Sequence, residues 1–183
     1  MRKLTAGLFM SLDGVVESPN LWQFDSFDEE LSAEMSAMMT RVDTVLLGRV
    51  GYEQWASYWP NPENTDGFGT FINPVQKFVA SRTLTGDLAW HNSTLIPGDV
   101  NEFVTELKKT EGGEISLVGG ISLVRHLLFA GLLDSLTVMM HPVVAGEGRH
   151  LFEPTDPVTR LTLEKSLMTS KGNALLTYGR RTN

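Results

Sequence analysis

The chain contains no cysteine. That excludes disulfides, thiolate metal sites and a cysteine nucleophile, and it fits a reducing, cytoplasmic setting. No run of 18 or more apolar residues exists, so no transmembrane helix is expected. The first residues, MRKLTAGLFMSLDG, lack the long apolar core and small-residue cleavage site of a secretory leader and read as a first strand. Positive charge is also in short supply. Fifteen Lys and Arg stand against 22 Asp and Glu, a net charge of −7. Such a surface repels nucleic acid and anionic membrane. A phosphate-bearing ligand must then be held by a local cluster of cations and backbone amides.

What is present is an ordinary globular composition, 42% hydrophobic over 183 residues, enough for one domain spanning 1–183. Strands are expected at 3–10, in DTVLLG, QKFVAS, TLIPG, EISLVGG and DSLTVMMHPVV. Helices are expected over 28–41, capped by Asp25 or Ser26, and in RVGYEQWASYW, DVNEFVTELKKTEGG (capped by Asp99) and SLVRHLLFAGL. WPNPENTDGFG reads as a surface loop, and RLTLEKSLMTS and NALLTYGRR as a closing hairpin through 171–173. Alternating strands and helices imply a mostly parallel sheet covered on both faces, with an antiparallel hairpin added at the end. In such sheets ligands sit beyond the carboxyl ends of the strands. That rule puts SLDG, LLGR, VASRT and VGGIS on one rim.

The paired glycines Gly119 and Gly120 lie between the two most apolar segments of the chain. They suit either a tight strand-to-helix turn or an anion site, where bare helix-start amides meet a phosphate. Arg49 and Arg82 each follow a strand, and guanidinium binds phosphate in bidentate fashion. Ser81 and Thr83 add hydroxyls. Asp13, in the Asp-Gly turn after the first strand, is a candidate proton relay as well as a turn residue. Trp22, Phe24 and Phe27 can wall a planar substrate, with Asp25, Asp28, Glu29 or Glu30 facing it. His91, His126, His141 and His150 have no metal-ligand spacing, and no metal is expected. Trp55, Tyr58 and Trp59 read as core and rim.

The stretches FMSLDG, DTVLLGRVGYE, KFVASRTL, ISLVGGISLVRHLL and GLLDSLTVMMHPVVAGEGRHLF occur in this order over about residues 2–181. Together they resemble the dihydrofolate reductase fold superfamily, and within it the reductase domain of riboflavin biosynthesis, the C-terminal domain of the bifunctional deaminase–reductase. The resemblance implies a three-layer α/β/α sandwich and an NADPH-dependent reductase. It implies that Gly48, Arg49, Ser81, Arg82 and Thr83 hold the adenosine 2′-phosphate, and that Gly119, Gly120, Ile121, Ser122 and Leu123 receive the pyrophosphate. Asp13, with Asp28 second, would lie by the nicotinamide as proton donor. Gly146, Glu147 and Gly148 would border the substrate mouth beside Trp22 and Phe24. A cis peptide at Gly119–Gly120 and a homodimer through the terminal strands are further expectations. Two departures stand out. Gly51 occupies a position where relatives commonly carry Thr, and the deaminase motifs are absent. The implied activity resembles 5-amino-6-(5-phosphoribosylamino)uracil reductase. The alternatives are a pterin reductase and a non-catalytic nucleotide-binding module.

Overall fold

The computed structural model describes residues 1–64 and 67–181. Eight strands form one sheet: β1 (Leu4–Ser11), β2 (Val42–Gly48), β3 (Gln76–Ala80), β4 (Ser93–Leu95), β5 (Glu114–Val118), β6 (Ser135–His141), β7 (Leu161–Met168) and β8 (Ala174–Arg180). Their order is β4-β3-β2-β5-β1-β6-β8-β7. The first six are mutually parallel, and β8 and β7 close the edge as an antiparallel hairpin. β1 therefore sits at the centre, with Leu4 opposite Ile115 on one side and Thr5 opposite Ser135 on the other.

Side-chain alternation sorts the core into two layers. Leu4 and Ala6 of β1, Leu46 of β2, and Ile115 and Leu117 of β5 pack with α4 (Val100–Lys109) and α5 (Ile121–Phe129). On the opposite face, Val45, Leu47 and Val79 meet α2 (Arg49–Tyr58) and α3 (Gly67–Ile72). Phe9 and Met139 meet α1 (Glu29–Met39) there. Val45, Leu46 and Leu47 are all fully buried, because both faces of β2 are covered. The result is the three-layer sandwich with a C-terminal hairpin anticipated above. No described helix is long and apolar enough to cross a membrane.

Three local expectations need correction. The cap of α1 is Asp28, whose side chain accepts from Leu31 N at 2.9 Å, rather than Asp25 or Ser26. The stretch expected to be a loop through Gly69 contributes Gly67–Gly69 to α3, while its Thr65 and Asp66 lie outside the described residues. α3 is held at its end by Lys77, which is completely buried. Its ammonium donates to the carbonyls of Ile72, Asn73 and Val75 at 2.8–3.0 Å and lies 4.7 Å from the Trp90 ring centroid. Burial pushes this lysine down to about 8.

The third correction concerns the double glycine. There are no cis peptide bonds among the described residues, so Gly119–Gly120 is trans. Gly119 instead makes the bend by adopting φ 58°, a left-handed conformation that suits glycine. Helix α2 lies directly on it. A Cβ built on Gly51 would stand 1.7 Å from the Gly119 carbonyl oxygen. The departure at Gly51 is thus a packing requirement: α2 touches the β5 turn, main chain to main chain.

Replacing a mid-helix Gly by Ala normally gains roughly 1 kcal/mol. Gly51→Ala is expected to do the reverse and lose at least about 2 kcal/mol, because α2 must move off Gly119. Chemical denaturation of the two proteins checks the sign. Lys77→Met leaves the carbonyls of Ile72, Asn73 and Val75, all buried or partly buried, without this donor and is expected to lower stability by roughly 2–4 kcal/mol in the same assay.

Candidate functional site

Strand β5 feeds α5 on one face of the sheet, while its neighbours β2 and β1 feed α2 and α1 on the other. Connections that leave to opposite faces open a crevice at the carboxyl ends. Gly119 and Gly120 lie at its centre. Gly48, at the end of β2, packs against them: a Cβ on Gly120 would fall 3.1 Å from Gly48 N, and one on Gly48 would fall 3.4 Å from Gly120 Cα. Side chains at either glycine would fill the floor of this cradle.

Gly120 is the N-cap of α5 and supplies no side-chain cap. The first helical bond runs from Val124 N to Gly120 O at 2.9 Å. The amides of Ile121, Ser122 and Leu123 therefore lie ahead of the ladder, at the positive end of the helix. Ser122 Oγ accepts from Arg149 Nη2 at 2.9 Å. Arg149 is exposed, and no carboxylate forms an ion pair with it among the described residues. In the sequence the glycines of GEGRHLF stand out more than this arginine. A lone cation beside a glycine-rich turn was the available signal.

On the other side of Gly48 the rim continues into β3. Gly48 pairs in register with Ala80, so Arg49 and the Ser81–Thr83 turn begin at adjacent strand ends. Ser81 Oγ accepts from Thr83 N at 3.1 Å and Leu84 N at 2.9 Å, fixing the turn. Arg82 and Thr83 are exposed. Arg49 donates to Glu53 at 2.7 Å, one turn along α2. All ten residues expected at a cofactor site thus line one continuous rim around the ends of β3, β2 and β5.

At the β1 and β6 ends the geometry assigns Asp13 a different task from proton donation. Its carboxylate accepts from Ser11 Oγ at 2.6 Å and from the amides of Ala145 and Gly146 at 2.9 and 2.8 Å. The Ser11 hydroxyl first, then the two amides, hold the carboxyl far below the usual range. The His150 ring adds a bond to Asp13 O at 3.1 Å, and Glu17 accepts from Arg149 N at 3.1 Å. Asp13 is the clamp of the loop that carries Gly146, Glu147, Gly148 and Arg149. Gly148, at φ 128°, passes close over Val15, and Glu147 is exposed.

Asp28 is likewise structural. Burial alone would raise its carboxyl, but bonds from Thr169, Leu31 N, Lys171 N and Asn173 outweigh it and hold it low. Neither carboxyl carries a proton at neutral pH. Trp22, expected as an open wall, is buried: its indole donates to Glu17 O at 2.9 Å and meets the His141 ring edge-on at 5.8 Å. Phe24 is 75% exposed. Leu12 and Val144 are exposed at the same end, where Leu12 N donates to Val143 O at 2.7 Å. Among the described residues no cluster of side chains suits a metal ion.

Comparison with known proteins agrees with this architecture. A protein of Bacillus subtilis (strain 168), the uncharacterized YyaP, is 29% identical over 180 residues, covering 97% of this chain and 94% of its own length. A crystal structure from Shewanella sp. PV-4 superposes with a TM-score of 0.75 at 20% identity, covering 98% of this chain and 99% of that one. The diaminohydroxyphosphoribosylaminopyrimidine deaminase/5-amino-6-(5-phosphoribosylamino)uracil reductase of Thermotoga maritima superposes with a TM-score of 0.66 at 11% identity. It shares 98% of this chain but 57% of its own, which leaves room there for a second domain. The model of the RibD C-terminal domain matches residues 2–175, nearly the whole sequence, and the chain belongs to that family.

Proposed function

We propose that this chain is an NADPH-dependent reductase that delivers hydride to a C=N or C=O carbon of a small heterocyclic or sugar-like substrate. One observation carries the reading: uncapped helix-start amides, a bare glycine floor and three arginines share a single rim of a protein with net charge −7. An extended, doubly anionic ligand is what such a donor set accommodates.

In this reading the amides of Ile121, Ser122 and Leu123, with Arg149, receive the pyrophosphate over Gly119 and Gly120. Arg49, Ser81, Arg82 and Thr83 hold the 2′-phosphate beside Gly48. Arg49 must release Glu53, an exposed i,i+4 pair worth only about 0.3–0.5 kcal/mol, so the exchange costs little. The missing threonine at position 51 does not weaken the reading. Its Cβ direction leads into the Gly119 carbonyl, not outward to a phosphate. When bound, the nicotinamide supplies the hydride from its C4. The protein's part is to orient the two reactants and exclude water around them. Asp13 and Asp28 are positioning groups, and solvent water is the proton source. Leu12, Phe24 and Val144 give the substrate end an apolar lip suited to a planar ring.

Titration of the purified protein with NADPH, followed by nicotinamide fluorescence, is expected to saturate below millimolar concentration. A flat titration defeats the reductase reading. Arg82→Ala should weaken NADPH by about tenfold and leave NADH almost unchanged, whereas Arg149→Ala should weaken both alike, because the pyrophosphate is common to them. Competition binding with the two cofactors separates these patterns.

Asp13→Asn should raise amide hydrogen exchange at Ala145 and Gly146 by about tenfold or more. It should remove no ionisation from the pH–rate profile, as loss of a proton donor would. A carboxylate held this low contributes stability that is complete above the ordinary carboxyl range and fades as pH falls below it. The Asn variant should therefore match the parent more closely in acid than at neutral pH, which thermal melts across that range will show.

A further inference from the structure

We propose that His141 is the positioning residue of the aromatic loop 19–27: its neutral ring latches the loop against the ends of β1 and β6, and protonation of the ring releases it. The ring is fully buried at the last position of β6, in register with Ser11 of β1. Both of its nitrogens are spent on the loop. Nε2 lies 3.1 Å from Gln23 Nε2, and Nδ1 lies 2.8 Å from Ser26 Oγ.

The tautomer follows from counting protons. Ser26 has one hydroxyl proton, and it goes to Gln23 O at 2.5 Å. Ser26 Oγ must then accept from the ring, so Nδ1 carries the hydrogen. Nε2 is left as an acceptor, filled by the Gln23 amide. A second proton on the ring would meet that amide head-on and break the pattern.

The loop needs such a hold. Ser18 and Phe24 stand at φ 46° and 37°, left-handed conformations that are unfavourable for residues with a side chain. Phe24 projects into solvent and contributes little packing of its own. The bonds that oppose this strain come from His141, from Asn173 Nδ2 to Ser26 O at 2.7 Å, and from Trp22 to Glu17 O. Lys171 Nζ also donates to the carbonyls of Asp25 and Phe27.

The charged groups around the ring are few. Burial between Phe9 and Trp22 is the largest influence and disfavours the protonated ring, so it takes up a proton less readily than a free histidine. Asn173, and then Asp28 at the cap of α1, favour the protonated form without prevailing. Lys171 is the one ammonium on the loop, Asp25 is exposed, and Asp13 beyond Ser11 is committed to loop amides. The sign follows. The closed state binds the proton more weakly than the open, solvated one, so the loop is shut above the ordinary histidine range and opens as pH falls through it. The consequence for substrate capture rests on the reductase reading; the latch itself does not.

The test uses the full chain without ligand. Nitrogen-15 spectra of the histidine side chains should give His141 a neutral Nδ1–H signature and a midpoint below that of histidine in an unfolded peptide. Amide exchange over 19–27, corrected for its intrinsic pH dependence, should lose about tenfold protection one unit below the ordinary histidine range. In His141→Gln, which hydrogen-bonds but does not titrate, protection over that range should be flat. If that variant does not fold, Gln23→Ala keeps the ring and should lower protection at every pH while moving the His141 midpoint upward. Unchanged protection in the parent, a parent-like pH course in His141→Gln, an unmoved midpoint in Gln23→Ala, or a neutral proton on Nε2 each overturns the latch. None of these readouts involves cofactor or turnover, so a protein that binds no NADPH can still possess it.

Discussion

Helix α2 meets the turn after β5 with no side chains between them. Gly51 lies under the Gly119 carbonyl at a distance no Cβ would permit, and Gly48 lies in close contact with Gly120. This contact fixes the end of β2 relative to the end of β5, and with them the starts of α2 and α5. Because β2 and β3 are in register through Gly48 and Ala80, the Arg82 turn is fixed as well. The spacing of Arg49, Arg82 and the α5 amides on the rim descends from that one approach, while Arg149 arrives on the loop that Asp13 holds. Glycine costs backbone entropy at each position. Here four of them share that cost to bring the ends of β2 and β5 together.

The opposite end of the rim is built from polar bonds instead. Asp13 and Asp28 both sit where a catalytic carboxyl would be welcome, and both are consumed in holding main chain. One ties down the 145–149 loop, the other starts α1 and gathers the 169–173 turn. Each of these charges stabilises a loop at this end of the rim. This division of labour fits cofactor chemistry, in which the reacting atoms come with the ligand and the protein supplies position.

Much of this was legible from the sequence alone. The apolar runs of β2 and β6, and α4 with its Asp99 cap and terminal lysines, follow local rules that tertiary contacts did not override. So did the rim, since each strand end was visible as a turn residue after an apolar run. What could not be read had non-local causes. α3 begins in a Gly-Phe-Gly stretch that resembles a loop, and it is secured by Lys77, whose three carbonyl partners no pattern reveals. Asp28 displaced Asp25 as the cap because Thr169, Lys171 and Asn173 reach it from the far hairpin. Gly51 looked like a lost hydroxyl until its neighbour across the fold was known. Arg149 meets Ser122 from 27 residues away.

The place of β1 has a cost in time. It precedes the other seven strands in the chain, yet its partners are residues 114–118 and 135–141. During synthesis β1 must wait, unpaired and apolar, until β5 has been made, and its second partner comes later still. Contacts so distant in sequence favour slow folding. The nascent chain is therefore at its most vulnerable to sticking to itself or to others before β5 appears, and a chaperone that shields β1 would act at the moment of greatest need.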